Sequence, residues 1–594
     1  MTNKLEASPM MHEYLVTKEK YKDCILFYRL GDFYEMFYED AIEASRILEL
    51  TLTSKNCGGG KKAPMCGVPH HASEIYISRL VHAGKKVAIC EQLSQPERGK
   101  IVARDVVRVI TPGTITEDAL LPANENNYIA FIFVNDPKCL GVAYCDVSTG
   151  EFCLAQYDGE VAQKRINDIL TNVNPSEIIV NESGKKIASQ LQACRINSEY
   201  GLQTYPDWSS EFETAVGCLQ NQFGINCLLK YELLEKQAAV CAGGGLMHYL
   251  KETQKNALSH INKIKTIKND QFLILDSNTR RNLELTETIM ERRKRGSLLS
   301  VIDKTNTSMG GRMLRSWLVQ PLRDERDINA RLDSVEEIIK SNYLKQGLVA
   351  VLSKMSDIQR IVAKISYNSV TPKECLALSD SLEKIPEIKN LLKNCTSKLL
   401  SASHENLDDF SDVVNLINSA ISRDCPANLK DGGYIKAGFN EQLDELRDSK
   451  NNAIKWTMDL EKQYKETTGI KNLKIGYNRV FGYYIEVPTA LIDSVPIDWR
   501  RKQTVSTNER YINQELKEIE SKILHSKEDA ILLEHKIYAE IKVVLSGIIE
   551  ILQQLGNTIA QIDCLCSLAS ASINNFYNRP KISSKVQKLM IVQG

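Results

Sequence analysis

At 594 residues, with 43% hydrophobic and 25% charged side chains, the chain is too long for a single core, and three to five globular domains are expected. Its 75 Lys and Arg balance 75 Asp and Glu, which argues against a nucleic-acid footprint spread over the whole surface. No run of about eighteen apolar residues suits a membrane span, and residues 1–8 (MTNKLEAS) lack the apolar core of a secretory signal.

The sixteen cysteines are scattered through apolar strings such as residues 87–90 (VAIC), without a Cys-x-x-Cys. Buried reduced thiols are expected, rather than a disulfide or metal framework.

Taken in chain order, residues 24–28 (CILFY) read as a strand leading into a turn at Gly31. The plainest continuation runs from that turn into a helix with Phe33 in the core, since aromatic residues usually pack inside. The same stretch admits a second reading, because Phe33 and Glu35 stand two residues apart beside the glycine. An apolar wedge can be pushed between base steps, and a neighbouring carboxyl can hydrogen-bond an exposed base edge. Residues 58–64 (GGGKKAP) form a basic, glycine-rich loop. The loop suits phosphate contact or a plain turn, and lacks the G-x-x-x-x-G-K-[ST] spacing of a nucleotide-binding loop.

A second unit follows residues 121–124 (LPAN). Residues 128–134 and 141–147 read as strands, with a third after the turn at 148–150. A helix over 161–171 and a buried strand at 177–180 complete an α/β pattern. Asp146 at a strand end raises a metal-dependent nuclease reading, but no acidic cluster at recognisable spacing accompanies it.

From Gly243-Gly244-Gly245 onward the chain reads as helical. Leu443, Leu446, Ala453, Leu460 and Tyr464 mark one amphipathic helix. Leu516, Ile519, Ile523, Ala530, Leu533, Ile537 and Val544 mark a longer one of coiled-coil character. Between the two, residues 473–475 and 483–487 read as strands, with Gly476 and Gly482 bounding Asn478 and Arg479. From Lys450 to Lys517, twelve Lys and Arg stand against eight Asp and Glu, a local excess sufficient for phosphate contacts.

Residues 27–35 (FYRLGDFYE) resemble the mismatch-reading motif of the bacterial MutS family of DNA mismatch-repair proteins. The likeness continues in family order through 64–72 (PMCGVPHHA), 87–92 (VAICEQ), 109–114 (VITPGT), 279–285 (TRRNLEL), 309–318 (MGGRMLRSWL), 476–485 (GYNRVFGYYI) and 508–511 (NERY). The resemblance implies a multidomain α+β chain. It would comprise a mixed α/β mismatch-binding domain (1–116), a ribonuclease-H-like α/β connector (117–245), and an all-α lever domain (246–453 and 514–578). A β-rich clamp (454–513) would be inserted between its long helices, and residues 579–594 would begin an ATPase domain that the chain lacks.

By the same resemblance, Phe33 is the wedge and Glu35 the hydrogen-bonding partner of the mispaired base. Lys55, Asn478, Arg479 and Thr507 touch the DNA backbone, with Arg501 and Lys502 as alternatives. Lys61 and Lys62 belong to a loop of variable length. Ser506 and Thr507 stand where relatives often carry Lys and Asn. Arg280, Arg281 and the 309–318 block are expected to be structural.

The implied partners are double-stranded DNA with mispairs or small loops, a second copy of the full-length form, and a MutL-type repair protein, in the bacterial cytoplasm at the nucleoid. No catalytic residue, cofactor or metal site is expected in this chain. No G-x-x-x-x-G-K-[ST] occurs in it, and the ATP and Mg2+ of the DNA-dependent ATPase belong to the full-length family protein. A paralogue acting on recombination intermediates would lack the Phe-x-Glu pair. A coiled-coil assembly protein would leave the first two units unexplained.

Overall fold

The structure, a computed structural model, describes residues 8–57, 62–93, 103–191, 193–194, 202–255, 258–267, 272–426, 429, 432–478, 482–504, 508–584 and 589–591. The chain divides into two compact units. One comprises Met1–Val370, Glu383–Asp409 and Ile548–Gly594; the other comprises Thr371–Leu382 and Phe410–Gly547.

The first unit opens with a six-stranded sheet in the order β3-β4-β2-β1-β5-β6. Its strands are β1 (Cys24–Leu30), β2 (Phe33–Phe37), β3 (Thr53–Asn56), β4 (Lys62–Pro69), β5 (Lys86–Gln92) and β6 (Arg104–Ile110). Alternation sends side chains to two separate cores. On one face, Phe27, Tyr34 and Met36 pack with Ala41 and Ala44 of α2 (Tyr38–Leu48) and with Ile77 and Leu80 of α3 (Ser73–His82). On the other, Leu26, Tyr28 and Phe37 pack under Met11 and Tyr14 of α1 (Pro9–Lys20). The expected helix after Gly31 is instead a strand. Gly31 takes φ +60°, which suits glycine. That turn pairs Leu30 with Phe33 and sends the chain back along β1.

A second six-stranded sheet has the order β11-β10-β7-β8-β9-β12. β7 (Tyr128–Asp136), β8 (Cys139–Asp146) and β9 (Glu151–Asp158) form an antiparallel meander. β10 (Glu177–Asn181) then runs parallel to β7, and β11 (Gln203–Tyr205) parallel to β10. The short β12 (Lys265–Thr266) lies parallel to β9. α4 (Ala162–Val173) contributes Ile166 and Leu170 to the core on one face. α5 (Phe212–Phe223) and α6 (Gln237–Gln254) contribute Leu219 and Leu246 on the other.

Gly243, Gly244 and Gly245 do not begin the helical region; they lie inside α6 and are buried. A Cβ on Gly244 would stand 2.2 Å from the Ala215 Cβ, and one on Gly245 2.6 Å from Phe131 Cζ. The glycines therefore let α6 press against both α5 and the sheet. A boundary between residues 245 and 246 would cut that helix in two.

Buried polar groups fix the helical part of this unit. The Asp563 carboxylate, fully buried on the helix Ile549–Asn574, accepts the backbone N–H groups of Asn306 and Thr307 and the Thr307 hydroxyl. Thr307 caps the helix Ser308–Val319. Burial raises the Asp563 pKa above the usual carboxylate range. Arg312 makes a forked ion pair with Asp357 and also donates to the Ala123 carbonyl. Arg280 donates to the Thr171 carbonyl at 2.5 Å. These contacts agree with the structural expectation for Arg280 and the 309–318 block.

In the second unit, the helices Glu441–Thr468 and Gln514–Ser546 flank a four-stranded antiparallel sheet of order β13-β14-β16-β15. Its strands are β13 (Lys474–Asn478), β14 (Gly482–Pro488), β15 (Arg500–Thr504) and β16 (Asn508–Ile512). Gly476 lies within β13 rather than bounding it, and the sequence pattern alone did not mark β15. The first helix runs through the expected 453/454 boundary. On the second, Leu516, Ala530 and Ile537 are buried as expected, but Val544 is 50% exposed. Tyr538, Ile541 and Leu545 carry the buried face there, together with Glu534. The Glu534 carboxylate accepts the N–H groups of Gly433 and Tyr434 and pairs with Arg447. The side chains of Ala453, Ile519 and Ile523 lie outside the described residues.

All sixteen cysteines are free, and fourteen are buried. Among the described residues no single helix is long and apolar enough to cross a membrane.

Candidate nucleic-acid interface

Phe33, Glu35 and Phe37 share the face of β2 that α1 covers, but α1 does not reach its whole length. Phe37 is fully buried beneath Tyr14, whereas Phe33, at the strand's other end, is 48% exposed. Between them, the Glu35 side chain keeps 16% of its surface. On the opposite face Tyr34 is buried, donates to the Glu91 carboxylate, and carries the Arg29 guanidinium over its ring at 5.5 Å. Burial, reinforced by Glu91, raises the Tyr34 pKa. The strand is thus anchored by every second residue and open at Phe33. The hairpin is also tied from outside, since the His70 N–H donates to the Asp32 carbonyl at 2.9 Å.

Lys55 reaches the same open face from β3. Its Nζ stands 2.5 Å from Glu35 Oε2 and 5.7 Å from the centre of the Phe37 ring. Gly67 on β4 pairs with Glu35, and a Cβ there would come within 3.5 Å of Glu35 Cγ. The structure therefore brings Phe33, Glu35 and Lys55 together, and it adds the Lys55–Glu35 ion pair, which spacing along the sequence could not reveal. Lys62 is exposed at the start of β4; Lys61 lies outside the described residues.

The candidates in the second unit separate. β13 and β14 join at the Asn478–Gly482 end, while β15 and β16 join at the Thr504–Asn508 end. Because Pro488 pairs with Asn508, these ends lie at opposite extremes of β14. The seven residues of β14 make that separation roughly 20 Å at about 3.3 Å per residue. Asn478 and the neighbourhood of Thr507 therefore cannot form one compact patch. Arg479 and Thr507 themselves lie outside the described residues.

Much of the basic charge on this sheet already has partners. Arg510 pairs with Glu486 at 3.2 Å and stacks on Tyr484 at 4.2 Å, and Arg501 pairs with Glu509 at 3.3 Å. Asn508 donates to Glu486 at 2.7 Å. Lys502 is exposed.

Asp146, the residue behind the nuclease reading, sits in a turn with both carboxylate oxygens occupied. One accepts the Ser148 N–H and hydroxyl, and the other the Asn126 side chain and the Asn127 N–H. Its chemistry is that of a turn cap.

Comparison with known proteins matches three family models along the chain. MutS domain I covers residues 8–119, MutS domain II residues 127–262 and MutS domain III residues 278–569. Proteins named DNA mismatch repair protein MutS are similar over nearly the whole chain. That of Lachnoclostridium phytofermentans is 42% identical over 580 residues, covering 98% of this chain and 62% of the relative. That of Alkaliphilus oremlandii is 42% identical, covering 97% and 66%. That of Ruminiclostridium cellulolyticum is 43% identical over 591 residues, covering 99% and 67%. The chain thus spans roughly two thirds or less of the length of these relatives.

Proposed function

The chain belongs to the MutS family, and from that premise we propose that it recognises mispaired or unpaired bases in double-stranded DNA, the first step of mismatch repair. The observation that carries this reading is the half-exposed Phe33 ring at the uncovered end of a well-anchored strand, with a carboxylate two residues along.

Driving an apolar ring between base pairs costs a few kcal/mol of unstacking per step. A mispair has already lost part of that stacking, so the cost of insertion falls where the error lies. Recognition is then a reading of deformability rather than of sequence. Glu35 accepts a hydrogen bond from the edge of the unstacked base. Against a matched duplex it offers only a negative charge near phosphates, which opposes binding and sharpens discrimination.

Lys55, Asn478, Arg479 and Thr507 hold the duplex through its backbone, which positions it without reading its bases. The antiparallel meander of the second sheet, followed by a parallel strand, supports reading it as a ribonuclease-H-like connector. In the full-length protein, ATP with Mg2+, a second copy and a MutL-type partner complete the repair function in the cytoplasm. No phosphate-binding loop occurs in this sequence, and none of its residues is given a part in ATP hydrolysis.

The test compares binding of a duplex carrying one G·T mispair or one unpaired T with binding of the matched duplex, for the protein and for Phe33→Ala. The protein is expected to favour the defective duplexes and the variant to lose that preference. Equal preference in both would remove the wedge mechanism.

A further inference from the structure

Resting on that reading, we propose that Lys55 is a counter-ion shared in turn by Glu35 and the DNA phosphates, so that engaging the backbone uncovers the carboxylate that tests the base. The assignment starts from the strand register. Lys55 pairs with Ala63 of β4, Phe37 with Met65, and Glu35 with Gly67. Lys55 and Glu35 thus lie on the same face of the sheet with β4 between their strands, four residues apart along it. The lysine closes that gap diagonally, passing over the Phe37 ring at 5.7 Å to place its ammonium 2.5 Å from Glu35. A Cβ at position 67 would stand 3.5 Å from Glu35 Cγ, so glycine there leaves that side chain uncrowded by its cross-strand neighbour.

Among the described residues, Lys55 is the one group that donates to the Glu35 carboxylate. The Glu35 side chain keeps 16% of its surface and is largely shielded from water, whereas the lysine keeps 35%. A desolvated carboxylate stripped of its cation is costly, and the cation is the partner that an incoming phosphate can reach. When duplex arrives, a phosphate competes for Lys55. A matched duplex takes the cation and returns nothing, leaving Glu35 bare beside the polyanion. A mispaired duplex also supplies a hydrogen-bond donor from the unstacked base, which satisfies the uncovered carboxylate. Discrimination therefore belongs to the pair and not to Glu35 alone.

A double-mutant cycle on the full chain tests the exchange, using Glu35→Gln, Lys55→Met and the double variant with matched and G·T duplexes. Glu35→Gln frees the lysine in advance and is expected to tighten the matched duplex roughly fivefold, the scale of one partly exposed ion pair. In the Lys55→Met background the same change is expected to gain less than about twofold, and Lys55→Arg should restore the larger gain. Equal tightening in both backgrounds would overturn the exchange. Lys55→Met should also lower the slope of log affinity against log salt by about one; an unchanged slope would show that the lysine never reaches a phosphate and would equally overturn it. Phe33→Ala separates the two levels. If that variant keeps full mispair preference, the parent reading fails; if it loses the preference while the cycle is additive, only the exchange fails.

Discussion

Phe33 and Trp499 are both large aromatic residues at the margin of a helix-covered sheet, yet Phe33 is 48% exposed and Trp499 only 7%. Trp499 is held between Tyr464, 5.0 Å away, and Tyr511, 6.4 Å away, and those rings tie the second unit's sheet to its long helix. Phe33 stands beyond the reach of α1, which spends its apolar residues on Tyr28 and Phe37. One ring holds the fold together and the other is free to meet a ligand. The polar groups divide in the same way. Arg510 and Arg501 of the second unit's sheet pair with carboxylates on the adjacent strand, whereas Lys55 reaches Glu35 across an intervening strand at the open face of the first sheet.

The largest effect should come from the structural ring. Trp499→Ala is expected to destabilise the second unit by about 3–5 kcal/mol, read from urea unfolding followed by far-UV circular dichroism. A loss below about 1 kcal/mol would mean that the ring is not a core element and would erase the contrast with Phe33.

A buried ring of a different kind comes next. His260 is fully buried, with its ring nitrogens facing the Val147 carbonyl and the Ser366 hydroxyl, and burial holds its pKa down to about 4 from an ordinary 6.5. Above pH 6.5 the ring is neutral in both folded and unfolded chains and adds no pH dependence. As pH falls from 6.5 towards 4 the unfolded chain takes up the proton first, so stability drops by about 3 kcal/mol over that window. His260→Gln should flatten that part of the stability profile. A wild-type profile that is already flat there would contradict the burial argument.

Phe33→Ala is expected to lower the preference for mispaired duplex by about 2–3 kcal/mol, the scale of one unstacked base step. Its unfolding free energy should shift by less than about 0.5 kcal/mol. A large stability loss would put Phe33 in the same class as Trp499.

The smallest effect belongs to Arg510→Ala. Loss of the Glu486 pair and the Tyr484 stacking is expected to cost about 1 kcal/mol of stability. A drop of one in the salt slope of DNA binding with no stability change would instead make Arg510 a phosphate contact.

Much of the local architecture was legible. Continuous apolar runs gave β7, β8 and β10, whose sheet is buried on both faces, and three-four spacing gave the two long helices, because one-sided burial of a helix writes its period into the residues. The β15–β16 pair was harder to see, since RRKQT (500–504) is too polar to read as a strand. It becomes one by pairing with β16. The glycines at 243–245 look like a break and are the opposite, because the absence of a side chain matters only once another element presses against it. Val544 fits the three-four spacing but is half exposed, because Tyr538, Ile541 and Leu545 carry the buried face at that end of the helix.

The sequence by itself determined the family blocks, the Phe33–Glu35 spacing and the absence of a nucleotide loop, all of them properties of residue identity and order. Only the tertiary structure decided that Phe33 is uncovered, that Lys55 neutralises Glu35 across β4, and that Asn478 and the 504–508 end of the insert stand at opposite ends of a strand. Each of these depends on where a helix stops or on which strands become neighbours, and no local pattern of side chains records that.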